Sequence, residues 1–365
     1  MAPDISIEVI DLASPGEILQ ETLEERGMTG AELARRVGAS EKHISQVVNG
    51  HATLTPDMAL QLELALGVPA RLWSTLELNY RSELRRREAR AGYTKFKEWA
   101  RKFPVNEMRK TGYLARDLGQ GIVDRVEALL QFFGVVSDSA WESHWGFVQA
   151  RFRSSPSFKP NHYALTAWLR QGEQKARSVN CSTYNESEFR SALNTIRSLT
   201  TEKPSKFQGE ATQACAAAGV ALTFVPSLPG LGLSGATRWL SNEKATIHLS
   251  LRHRTDDQLW FSFFHEACHV LEHRTQTIYI DSVSDEGNDP IEVRANEFAR
   301  DRLIPPDDYS SFIKTWDGAS RSSIENFARS IGIAPGILVG RLQHDKHLSY
   351  TQFNELKNRY KWDFE

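Results

Sequence analysis

Two histidines four residues apart, in His265-Glu266-Ala267-Cys268-His269, constrain this chain more than any other stretch, because they place three ionisable groups together on one short helical segment. At a rise of about 1.5 Å per residue, an i, i+4 pair stands roughly 6 Å apart on one helix face, close enough for both imidazoles to reach one tetrahedral Zn²⁺. Leu259-Trp260-Phe261-Ser262-Phe263-Phe264 precedes the motif and Val270-Leu271 follows it. Phe261, Phe264, Cys268 and Leu271 recur at steps of three and four, the pattern of an amphipathic, mostly buried helix. Two histidines and a glutamate in a low-dielectric interior need partners, and a metal ion commonly satisfies such a cluster. The competing reading is a pair of core histidines with ordinary hydrogen bonds.

A catalytic zinc takes three protein ligands and keeps one position open. His273, a further i+4 step along, would lie about 12 Å from His265 on a straight helix, and no glycine turns the chain back, so one ion cannot hold both. Residues 290 to 299 read as a second helix, with Pro290 in its first turn and Asp285, Glu286 and Asp289 before it. Its apolar face is Ala295, Phe298, Ala299 and Leu303. Glu292 shares that face one turn earlier and is the expected third ligand, with Asp281 and Asp285 in reserve, whereas Glu297 sits on the solvated flank. Asn296, one turn after Glu292, is placed to fix a ligand imidazole through its other nitrogen. Glu266 is then the general base, taking a proton from a water that zinc acidifies, and peptide-bond hydrolysis follows naturally. For an oxyanion donor nothing stands out; Tyr279, His248, Arg238 and Arg341 are merely not excluded.

These residues, with the run from Ala236 through Ser241, Ile247 through Arg252 and Asp256 through His269, and with Glu292 to Ala299, resemble the ImmA/IrrE family of zinc metallopeptidases between about Gly209 and Pro305. The resemblance implies zinc ligands at His265, His269 and Glu292 and a base at Glu266. Cys268 stands where that family usually has Gly, and is expected to pack as a small hydrophobe.

A second pattern lies near the N-terminus. Ser14-Pro15-Gly16-Glu17 opens a helix, and residues 29 to 50 have the form of two short helices joined at Gly38, the second capped by Ser40. Leu33, Ala34, Val37, Ile44, Val47 and Val48 make the buried seam and leave Lys42, His43, Ser45, Gln46 and Asn49 outward, as a helix-turn-helix presents its recognition helix. Gln46 and Lys42 are the candidates for base edges; Ser40, Ser45 and Asn49 suit phosphate or mixed contacts. From Pro15 to Tyr80, including Leu66-Gly67-Val68-Pro69 and Leu76-Glu77-Leu78-Asn79-Tyr80, the chain resembles the Xre-type helix-turn-helix of HigA-like antitoxins. That implies operator DNA bound by a homodimer and repression of an operon encoding a toxin partner.

Charge complicates the DNA reading. In residues 1 to 80, acids outnumber Arg and Lys more than twofold, whereas phosphate binding favours the opposite balance. The next thirty residues are strongly basic, with Tyr93, Phe96 and Trp99 interleaved, and could contact phosphate or an acidic partner. Taken whole, the chain is near neutral, with a formal net charge of -2, so no global attraction to polyanions follows.

The expected fold is α+β and predominantly α-helical. A five-helix helix-turn-helix domain occupies 1–80, a helical connector 81–205, and a zincin-like metallopeptidase domain with a small sheet and a helical C-terminal extension 206–365. Val220 to Val225 and Thr246 to Ser250 read as strands, and the glycine-rich stretch from Pro229 to Gly235 as a turn near the cleft. It lacks the Gly-Lys-Ser/Thr ending of a phosphate cradle. No apolar run is long enough to span a bilayer, no leader is recognisable, and Cys181, Cys215 and Cys268 are too scattered for a disulfide framework, so a cytoplasmic setting is expected. The leading function is a DNA-binding, antitoxin-like regulator that cleaves a protein partner or repressor. Its rival is a non-enzymatic repressor or toxin-neutralising protein with a zinc sensor, and a small-molecule zinc hydrolase is a third class.

Overall fold

The computed structural model describes residues 13–152, 161–272, 278–282, 289–316, 318 and 320–363, with side chains described outside 147–152 and 278–282. The chain divides into two compact units, 1–95 and 96–365.

The first unit is five helices: α1 Pro15–Glu25, α2 Gly30–Val37, α3 Glu41–Val48, α4 Pro56–Leu66 and α5 Ala70–Gly92. Their starts are fixed locally. The Ser14 hydroxyl accepts from the Glu17 N–H while the Glu17 carboxylate accepts from the Ser14 N–H; at the starts of α2, α3 and α4 the hydroxyls of Thr29, Ser40 and Thr55 accept from the N–H groups of Glu32, His43 and Met58. Gly38 ends α2 at φ 69°, the left-handed conformation that lets the chain turn sharply into α3. Leu19, Leu23, Leu33, Ile44, Leu62 and Trp73 fill the centre. Helix α5 runs through residue 80 without a break, and the unit boundary follows Lys95. Its later half supports itself by pairs along the helix, among them Arg81–Glu77 at 2.8 Å, Arg85–Glu88 at 2.7 Å and Arg87–Glu83 at 3.3 Å.

The second unit begins with helices α6 Lys97–Ala100, α7 Val105–Lys110, α8 Ile122–Phe133, α9 Asp138–Phe152 and α10 His162–Ser178, followed by α11 Glu186–Ser198 and α12 Pro204–Ala217. Here the aromatic interleaving of the basic segment takes on a different meaning from the one the sequence suggested. Phe96 and Trp99 are buried, and Trp99 packs edge-on against Phe103 and Trp141 with centroids 5.0 and 6.1 Å apart. They build the core and are not available for stacking on bases.

A four-stranded sheet follows, β1 Val220–Phe224, β2 Leu233–Ser241, β3 Lys244–Leu249 and β4 Ile278–Ser282, in the order β1-β3-β2-β4. Strand β1 pairs with β3 in parallel; β2 pairs antiparallel with both β3 and β4. The end of the glycine-rich stretch, expected to be turn, is thus the start of β2. Alternation along β2 gives the two faces different neighbours. Thr237 meets α13 (Asp256–Glu272), whereas Arg238 reaches Glu173 of α10 at 3.2 Å.

Four more helices complete the unit: α14 Pro290–Leu303, α15 Pro306–Thr315, α16 Arg321–Ser330 and α17 Pro335–His344. One core joins Phe189, Leu193 and Ile196 of α11 to Phe263 and Phe264 of α13 and to Leu338 and Leu342 of α17, so no break falls near residue 205. The C-terminal segment is tied to the start of α13. Lys357 Nζ lies 2.7 Å from Asp257, and Asn358 Nδ2 donates to Asp256 at 2.9 Å. A Cβ on Gly336 or Gly340 would collide with those two aspartates, which explains glycine at both positions of α17. Among the described residues, no helix is long and apolar enough to cross a membrane.

Candidate metal centre and nucleic-acid interface

Helix α13 carries His265, Glu266 and His269 into the interior, each at most 1 % exposed. Helix α14 packs beside it and brings in Glu292. His265 Nε2 stands 3.1 Å from Glu292 Oε2, His269 Nε2 3.6 Å from Glu292 Oε1, and the two Nε2 atoms are 3.1 Å apart. Bonds of about 2.0–2.1 Å to a tetrahedral ion give edges of roughly 3.3 Å, so this donor set fits zinc closely. His265 Nδ1 lies 2.9 Å from Asn296 Oδ1. An amide oxygen only accepts, so Nδ1 carries the proton and Nε2 turns its lone pair toward the cluster. The described residues bring together one such group of His, Cys, Asp and Glu, and it is these three.

Glu266, one residue and about 100° around the helix from His265, faces the sheet. Its Oε2 is 2.6 Å from Thr237 Oγ1, which also lies 3.1 Å from the Glu266 carbonyl oxygen. Gly235 closes the other side: a Cβ there would stand 2.7 Å from both Cγ and Oε1 of Glu266. Strand β2 therefore fits round the glutamate with one hydroxyl and one missing side chain. The motif gives no sign of either, since both residues are some thirty positions away in sequence; a lone glycine inside a strand was the available cue. Gly235→Ala should keep its metal, lose about 1–3 kcal/mol of stability through overpacking, and lower any hydrolysis roughly a hundredfold by displacing Glu266. Thermal melts, zinc content and turnover on one preparation check this; unchanged turnover would contradict the close fit.

Cys268 is fully buried, and burial followed by the nearby Glu272 carboxylate pushes its thiol up to about 12. It packs as a neutral thiol, outside the three-donor group. Of the oxyanion candidates, Arg238 and His248 lie on the other sheet face. His248 Nδ1 is 2.6 Å from Thr223 Oγ1, and burial with Arg238 nearby lowers its pKa to about 3, so it is a neutral core residue. Glu173 below it is pushed up by burial but drawn down more strongly by its Arg177 hydrogen bond and by Arg238 and Arg170. Arg341 borders a cleft beside Glu292 and pairs with Asp345. His273 and Asp285 lie outside the described residues, as do the side chains of Tyr279 and Asp281.

In the first unit, α3 exposes Ser40, Lys42, Ser45, Gln46 and Asn49 while His43 is half-buried. Two of these are committed locally: Ser40 Oγ caps α3, accepting from the His43 N–H, and Asn49 Nδ2 donates to the Ser45 carbonyl at 2.7 Å. Lys42 and Gln46, one turn apart, reach furthest outward of the set by their side-chain length.

Comparison with known proteins agrees with both regions. A helix-turn-helix family model matches residues 19–73, and a model described as the IrrE N-terminal-like domain matches residues 229–342. Over 63 residues the chain is 35% identical to the HTH-type transcriptional regulator YddM of Escherichia coli (strain K12), an alignment covering 17% of this chain and 67% of that protein. A solved structure from Nostoc punctiforme PCC 73102, described as an antidote protein of a plasmid maintenance system, is 28% identical. It covers 24% of this chain and 94% of its own, with a TM-score of 0.23.

Proposed function

The chain belongs, through its N-terminal unit, to the HTH-type transcriptional regulators and carries an IrrE N-terminal-like peptidase domain, and from that premise we propose a DNA-binding regulator whose second unit is a zinc-dependent endopeptidase acting on a protein partner or repressor. Glu266 is the observation that carries the hydrolytic part. Burying a carboxyl group is costly even with a hydrogen bond to offset part of the penalty, and here Thr237 and Gly235 orient one beside a three-donor metal set. A structural zinc takes four protein ligands and needs no such neighbour; three ligands leave a coordination position for chemistry.

Zinc, when bound, supplies a Lewis acid and brings the pKa of a water toward neutrality. The chain's own residues do the rest. His265, His269 and Glu292 hold the ion, and Asn296 keeps His265 in the tautomer that presents Nε2. Glu266 accepts the proton and returns it to the leaving amine, while Thr237 Oγ–H keeps its carboxylate in place. Attachment to a DNA-binding unit favours regulation over digestion, so the substrate is a toxin or repressor partner, met in the cytoplasm by a homodimer bound to a two-fold operator.

Two experiments test this reading. Purified zinc-loaded protein, incubated with the proteins encoded next to it, should cut one of them at a defined bond and stop when a chelator is added. Full survival of every neighbour at equimolar protein would reject the peptidase. For the operator, Lys42→Ala with Gln46→Ala should weaken retention of the chain's own promoter fragment roughly a hundredfold, at about 1–3 kcal/mol for each good base contact. Unchanged retention would remove α3 as the recognition helix.

A further inference from the structure

Helices α13, α14 and α17 enclose a cleft of about 440 Å³ that shares Glu292 and Asn296 with the metal centre. Its size falls within the roughly 300–1,000 Å³ range of sites built for small ligands. Phe261, one turn before His265, Val293, Leu303, Ile304 and Ile337 supply its apolar lining. Gly340 lies in the wall, where an added Cβ would stand 2.5 Å from the Asp257 carboxylate. Three of the charges nearby are paired, Asp257 with Lys357, Arg300 with Asp301 and Arg341 with Asp345, whereas Glu297 adds a carboxylate to the wall that disfavours an acidic occupant. The larger part of the exposed lining is apolar, and this surface is the one available for recognition.

Because Glu292 and Asn296 line it while His265, Glu266 and His269 do not, the cleft adjoins the metal centre and its occupant would lie beside that centre rather than on it. We propose that it is the specificity pocket of the peptidase, taking a bulky apolar residue of the substrate immediately to one side of the bond to be cut. This rests on the endopeptidase reading. It assigns the substrate class as an extended peptide with Phe, Leu, Ile or Met at that position, against an unselective or acidic one. Val293, 41% exposed on the wall, is the residue through which size is set without disturbing the core.

The test measures binding apart from turnover. Zinc-loaded Glu266→Gln protein is titrated with acetyl-Phe-Leu-amide and with acetyl-Ala-Ala-amide, followed by calorimetry or ligand-observed NMR. The first should bind at least tenfold more tightly. Val293→Trp in the same background should lose that advantage by filling the cleft, while Val293→Ala keeps it; thermal melts show that both variants are folded. Equal binding of the two probes, or full binding by a folded Val293→Trp protein, would overturn the pocket. A mixed peptide library given to the wild-type chain separates the two readings. Cleavage with no preference for bulky apolar residues sinks the pocket and leaves the peptidase standing. Selective binding of Phe-Leu with no cleavage of any peptide keeps the apolar site and removes the peptidase.

Discussion

Glu266→Gln is expected to hold zinc at one ion per chain and to lose about 10²–10⁴-fold in hydrolysis, the contribution of a well-placed general base. The substitution is nearly isosteric, so the close approach of Gly235 is preserved, and the Thr237 hydroxyl can still donate to the side-chain oxygen. What disappears is the ability to take up a proton. The variant consequently separates hydrolysis from metal binding and folding, which zinc analysis and a melting curve should report as unchanged. Wild-type turnover by Glu266→Gln would mean that the carboxylate is not the base. Loss of zinc would mean that Glu266 sits on the metal and that its contact with Thr237 is broken when the ion binds.

Removing a ligand acts one step earlier. His269→Ala should bring zinc below about a tenth of an ion per chain and end hydrolysis outright, because His269 is fully buried and only two donors, His265 and Glu292, remain. Asn296→Ala should do less, weakening zinc about 10–100-fold, since it removes only the hydrogen bond that fixes the His265 ring. The order matters as much as the sizes. If Asn296→Ala were as damaging as His269→Ala, the asparagine would be a ligand; if His269→Ala retained stoichiometric zinc, the assignment of the site would fail.

The cluster of His265, His269 and Glu292 was legible in the sequence because helix geometry is local. Four residues separate His265 from His269, and the period of the next helix is enough to turn Glu292 and Asn296 toward them. The five-helix N-terminal unit was similarly plain, its caps at Ser14 and Ser40 being read within three residues of each helix start. Strand β2 was not read as a strand. Gly230, Gly232 and Gly235 look like turn residues, and Thr237 gains its role from Glu266, 29 positions later. Asp256 and Asp257 look like ordinary acids at a helix start, yet their partners Asn358 and Lys357 are about a hundred residues away. Burial of Phe96 and Trp99 was hidden for the same reason: a basic neighbourhood does not reveal that Trp141, some forty positions later, will cover Trp99.

The most direct measurement is zinc K-edge X-ray absorption on the zinc-loaded wild-type protein. The site described here requires a low-coordinate shell of nitrogen and oxygen near 2.0–2.1 Å, with outer-shell scattering from two imidazoles. A sulfur neighbour near 2.3 Å would put Cys268 on the metal, and a shell without two imidazoles would break the pairing of His265 with His269; either result contradicts the proposed centre.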